Sequence, residues 1–96
     1  MPNRTDTNQA DIVKVIRALG GEWVDCTDAP KAGFDGVTLW RGRSLITEIK
    51  DGSKPQSARK LTDNEKKTQA KCELRGVPYL ILLSVDHAIE TLREFR

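Results

Sequence analysis

The 96-residue sequence predicts one α/β domain, a mixed sheet flanked by helices, spanning residues 1–96. Three observations predict it. Apolar residues recur at helical spacing near the N-terminus, two strand-like runs meet at a short glycine turn, and a capped helix leads into a continuous apolar run. Read in order, the elements are α-β-β-β-α-β-α.

The first helix is expected over residues 8–19. Ile12, Ile16 and Leu19 form one stripe, with Val13 and Val15 alongside. Thr7 is the expected N-cap, and Gly20-Gly21 ends the helix. Residues 23–26 read as a short strand, and residues 27–33, with Pro30 and Gly33, as a loop. Strands follow over 35–40 and 44–50, joined through Arg41-Gly42-Arg43. A polar loop leads to Thr62, which forms a capping box with Glu65 and opens a helix ending near Arg75 and Gly76. Residues 78–83 are continuously apolar, which predicts a central strand covered on both faces. Ser84 caps a last helix through Phe95.

Composition narrows the function classes. Apolar residues make up 38% and charged residues 31%, a balance unlike that of a disordered or a membrane chain. The longest apolar run, Tyr79 to Leu83, is too short to span a bilayer, and residues 1–9 lack the apolar core of a signal peptide, so a cytoplasmic protein is expected. Cys26 and Cys72 fall on separate elements without a zinc pattern, and His87 is the sole histidine. Two reduced, mostly buried thiols are therefore expected. Net charge is +2, but residues 41–75 hold ten Lys/Arg against five Asp/Glu. Such a strip suits a phosphate backbone, although a solvated helix face accounts for the charge equally well.

The hairpin carries the candidate chemistry. A two-residue type II′ turn with Gly42 first pairs Arg41 with Ser44, places Val37 opposite Glu48 and Asp35 opposite Lys50. Partners across a ladder, and alternate residues along a strand, share a face. Asp35, Glu48 and Lys50 are therefore expected on one side. Two carboxylates side by side favour Mg²⁺ or Mn²⁺, and an adjacent ammonium can orient an attacking water or stabilise the transition state of phosphodiester hydrolysis. From spacing alone, a surface ion pair between Glu48 and Lys50 on an edge strand is an equal alternative.

Taken together, several segments resemble the PD-(D/E)XK nucleases, and more closely the stand-alone virus-type replication-repair nuclease (VRR-NUC) domains of phages and prophages. They are Asn8-Gln9-Ala10-Asp11-Ile12, Gly33-Phe34-Asp35, Arg41-Gly42-Arg43, Glu48-Ile49-Lys50-Asp51-Gly52, Ser57-Ala58-Arg59-Lys60-Leu61-Thr62 and Gly76-Val77-Pro78-Tyr79. The thirteen-residue step from Asp35 to Glu48 also fits. The resemblance implies an αβββαβ nuclease core with an extra C-terminal helix, and a homodimer that cleaves branched or Holliday-junction DNA with Mg²⁺ or Mn²⁺. It implies that Asp35, Glu48, the Ile49 carbonyl and Asp11 bind the metal and that Lys50 assists the water. Arg59, Lys60, Lys66, Lys67 and Gln69 are candidate DNA contacts. Three positions depart from the family pattern. Phe34 replaces a proline, Asp11 is shorter than the usual Glu, and Glu65 stands where Gln is frequent. In the family that amide would contact the site or the DNA; a Glu there could instead repel phosphate, and whether Gln69 one turn later substitutes is left open by the sequence. A DNA-binding or assembly module that retains the fold without catalysis is the alternative reading.

Overall fold

The computed structural model describes residues 7–29 and 31–95; residues 1–6, which hold most of the polar N-terminal stretch, and Pro30 of the expected loop lie outside them. Three α-helices and four strands occur in the order α1 (Thr7–Ala18), β1 (Glu22–Asp25), β2 (Gly36–Trp40), β3 (Arg43–Ile49), α2 (Asp63–Arg75), β4 (Tyr79–Leu82) and α3 (Val85–Arg93). A 3-10 turn, Gln56–Arg59, precedes α2. The sheet is mixed, in the spatial order β1-β2-β3-β4. The first three strands are antiparallel, and β4 runs parallel to β3 after the α2 crossover.

Alternation along the strands sorts the two faces. Trp23, Thr38, Trp40, Leu45, Thr47, Ile49, Leu80 and Leu82 are buried on one face. There α1 and α3 pack, contributing Ile12, Ile16, Ala88 and Leu92 to the main core. The two buried threonines bond to each other, Oγ1 to Oγ1, at 2.8 Å, so their hydroxyls are satisfied inside the core. The opposite face carries Val24, Val37, Leu39, Ile46, Glu48, Tyr79 and Ile81. The start of α2 reaches it at the Glu48 end, while Val24 and Leu39 remain 47% and 39% exposed.

The structure corrects several expectations. Thr7 begins α1 as a helical residue, and Leu19 is 43% exposed because the helix ends at Ala18. The hairpin turn has the expected two central residues but lies one residue earlier in the chain. Arg41 and Gly42 are its two central residues, with φ of 51° and 78°, and Trp40 pairs with Arg43. Positive φ at both centres is the type I′ pattern rather than II′. The strand at 78–83 is not central: β4 lies at the sheet edge, paired to β3 alone among the described residues. Its apolar run reflects α3 on one side and α2 on the other, not strands on both flanks. Cys26 and Cys72 are free thiols but only partly buried.

Candidate active site

Asp35 is positioned by the backbone before its side chain does anything. Its N–H donates to the Thr47 carbonyl at 2.9 Å, and its own carbonyl accepts from Cys26 N–H at 2.8 Å. The residue is thus stitched between β1 and β3 just ahead of β2. Glycines bracket it for different reasons. Gly33 has φ of 81°, and a β-carbon there would lie 2.1 Å from Thr68 Oγ1. At Gly36 a β-carbon would lie 2.3 Å from the Trp23 ring and 2.6 Å from the Val24 carbonyl. The Asp35 carboxylate then accepts from Ile49 N–H at 2.8 Å, which fixes its direction.

The observed register pairs Gly36 with Thr47, so its continuation sets Asp35 directly opposite Glu48. The expected pairing of Asp35 with Lys50 is two residues off. The shared face survives, because a slip of two residues preserves which side each chain projects to. The two carboxylates are therefore closer neighbours than expected.

Glu48 is 3% exposed, and its Oε1 is buried with no hydrogen-bond partner. Its Oε2 lies 3.3 Å from Lys50 Nζ. Burial, and then the charge of Asp35, push the Glu48 carboxyl up to about 9; Glu65 adds to this and Lys50 opposes it. Without a cation this acid holds its proton at neutral pH.

Lys50 is also anchored by α2. Its Nζ donates to Glu65 Oε1 at 2.9 Å, and the same oxygen accepts Thr62 N–H at 2.9 Å within the capping box. One carboxylate oxygen thus closes the start of α2 and holds the ammonium. Burial alone would lower the Lys50 pKa, but the hydrogen bond it donates to Glu65 and the two carboxylate charges outweigh it and raise it. Burial likewise opposes ionisation of Glu65, yet the Thr62 and Lys50 hydrogen bonds keep its carboxyl below the ordinary range. Glu65 faces the site and contacts Lys50. The signal was present in sequence, since a capping box curls its N3 side chain back toward the preceding loop.

Tyr79 completes the wall. Its hydroxyl donates to the Gly33 carbonyl at 2.7 Å, and burial together with Glu48, Glu65 and Asp35 raises its pKa. At the rear, Asn8 Nδ2 donates to the Lys50 carbonyl at 3.0 Å and to the Leu83 carbonyl at 3.3 Å, while its Oδ1 is buried without a partner. Asn8 is the α1 side chain that reaches the end of β3; Asp11 is exposed. Sequence reasoning missed both Asn8 and Tyr79 as neighbours of the site.

The candidate DNA contacts follow directly. Arg59 is half-buried on the 3-10 turn with an unpartnered buried Nε, Lys60, Lys66 and Lys67 are exposed around the first turns of α2, and Gln69 is half-buried. Among the described residues, no three His, Cys, Asp or Glu side chains are grouped to hold a metal ion. The pair Asp35 and Glu48 nevertheless fits a hard divalent cation that keeps several waters, because a buried carboxylate oxygen lacks any protein donor and the acids crowd one another. No protein-family model matches the chain, and neither a curated protein nor a solved structure matches it.

Proposed function

We propose that the chain is a metal-dependent endodeoxyribonuclease with a PD-(D/E)XK-like core, acting on branched or four-way-junction DNA. The observation that carries this reading is Glu48: a carboxylate 3% exposed, with an orphaned oxygen, opposite Asp35 and 3.3 Å from an ammonium. Burying such a charge without a further partner is unfavourable, so the acid keeps its proton unless a cation takes the proton's place. The set of segments resembling VRR-NUC domains supports the same reading.

Asp35 and Glu48 would hold Mg²⁺ or Mn²⁺, with the Ile49 carbonyl as a further ligand. When bound, the ion supplies Lewis-acid stabilisation of the attacked phosphate and acidifies water at neutral pH. The protein's own groups do the positioning. Ile49 N–H fixes the Asp35 carboxylate, and Glu65 and Glu48 fix Lys50. An ammonium has three donors, and two of them face carboxylates here, which leaves one for a water or a phosphate oxygen. Arg59, Lys60, Lys66, Lys67 and Gln69 would hold the DNA backbone beside this site. Asp11, exposed on α1, would act only through water.

Val24 and Leu39 on the uncovered part of the sheet support self-association, since a chain this small gains stability by burying a shared apolar face. Light scattering at micromolar concentration is expected to give twice the 10.8 kDa monomer mass. A non-catalytic DNA-binding or assembly module is the competing reading, and the observation favouring it is that Lys50 is engaged by carboxylates on both sides. Cleavage of a four-way junction, a flap, a nicked duplex and a linear duplex with each metal separates the two. The nuclease reading expects metal-dependent cutting of a branched member; no cutting of any substrate with either metal rejects it.

A further inference from the structure

At the far end of the hairpin from Glu48, the chain builds a second, oppositely charged feature. A cavity of about 370 Å³ is lined by Leu19, Leu92, Trp40 and Phe95, with Arg41 and Arg93 beside them. That size and that lining, apolar and aromatic with a few polar groups, suit a small ligand. The rings are fixed: Trp40 is 5% exposed, and its Nε1 donates to the Phe95 carbonyl at 2.6 Å. Each ring carries a guanidinium, Arg41 at 5.3 Å from the Trp40 centroid and Arg43 at 5.7 Å from that of Phe95. Glu22, which lines the adjoining groove, is held by Arg17.

Arg41 is the second observation. It is the only non-glycine residue with positive φ among the described residues, at 51°, in a turn position that favours Asn, Asp or Gly. A β-carbon residue held in this conformation points to a role for its side chain. Guanidinium groups grip phosphate through paired N–H donors, and aromatic walls accept a base by stacking.

We propose that this cavity binds one unpaired nucleotide of the DNA, the base against the half-buried Phe95 and the exposed Leu19, with Trp40 as the floor, and the phosphate on Arg41 and Arg93. The proposal rests on the reading of the chain as a DNA enzyme and specifies its substrate. Trp40 pairs with Arg43, which is five residues along β3 from Glu48, so the cavity lies about 17 Å, or roughly five base-pair steps, from the acids. The cavity thus selects DNA with an unpaired base that far from the cut.

The test is binding in EDTA, so that its outcome is independent of cleavage. A labelled DNA hairpin with a single-stranded overhang is titrated against a blunt hairpin, and dAMP is titrated by tryptophan fluorescence. The wild type is expected to bind the overhang at least about fivefold more tightly than the blunt end, the lower range for one stacked base. Arg41→Asn and Arg93→Gln should each remove most of that preference and weaken dAMP binding. Arg41→Asn should also raise the melting temperature, because Asn accepts the turn conformation. Equal binding of overhang and blunt ends by the wild type overturns the proposal, as does equal weakening of both by the variants. Such a failure together with intact metal-dependent cleavage removes the cavity from the account and leaves the nuclease reading standing.

Discussion

The two ends of the β2–β3 hairpin differ in almost every physical respect. At the open end, Asp35, Glu48 and Lys50 are drawn inward, hydrogen-bonded and backed by Glu65. At the turn end, Arg41 and Arg43 are exposed and lie over aromatic rings, with the backbone held at positive φ. A sheet end can store charge by burial and mutual restraint, whereas a turn displays it at the expense of local conformation. The first arrangement favours a small, dense counter-charge and the second a large, flat anion.

Removing the ammonium should have the largest effect. Lys50→Ala strands the ionised Glu65 beside Glu48, and unfolding should become easier by about 2 kcal/mol, less than a fully buried pair because the groups are partly solvated. If the chain is a nuclease, cleavage should fall by about 10²–10³-fold, the scale for losing one positioned transition-state donor. Denaturant unfolding and a cleavage time course check the two effects separately. Gly36→Ala comes next. The added methyl must displace the Trp23 ring or the Val24 carbonyl, with an expected loss of about 1–3 kcal/mol. Because Gly36 follows Asp35, metal affinity should fall too; unchanged affinity would show that Asp35 tolerates movement of its strand.

Protonation sharpens the same contrast. Glu48 is raised from 4.5 to about 9 in the folded chain. Folding therefore retains a proton that the unfolded chain releases, so the contribution of Glu48 to metal-free stability is full below pH 4.5 and is lost as pH rises to about 9, opposite in sign to that of Glu65. Glu48→Gln mimics the protonated acid and should flatten that window in a pH series of melting curves. A wild-type curve flat across the window would contradict the burial of this carboxyl. The smallest effects come from helix caps. Thr62→Ala and Ser84→Ala each remove a cap bond, worth about 1 kcal/mol. Only Thr62→Ala should raise the solvent reactivity of Lys50, because Glu65 links that cap to the ammonium.

Much of this was legible in residue pattern, for reasons that also explain the errors. Strand alternation assigned Asp35, Glu48 and Lys50 to one face, but alternation cannot distinguish registers two residues apart. The turn was therefore misplaced by one residue. The capping box at Thr62 and Glu65 and the Ser84 cap are local chemistry, and both appear in the structure. The apolar run before Ser84 registered burial without revealing whether helices or strands supply it, so β4 was wrongly placed at the sheet centre. On α1, Asn8 is four residues before the buried Ile12 and so shares its stripe, whereas Asp11 is one residue before it and points elsewhere. Helical spacing therefore already favoured Asn8 as the inward residue, a clue the resemblance obscured.

A divalent cation held by the Asp35–Glu48 pair is the premise of the nuclease reading. Isothermal titration of the wild type and of Glu48→Gln with Mn²⁺ and Mg²⁺, repeated in two buffers of different ionisation heat, measures this directly. Saturable binding with release of about one proton, as an acid raised to about 9 gives up its hydrogen, is expected for the wild type and is lost in the variant. Equal binding by both proteins, or none by either, would contradict it.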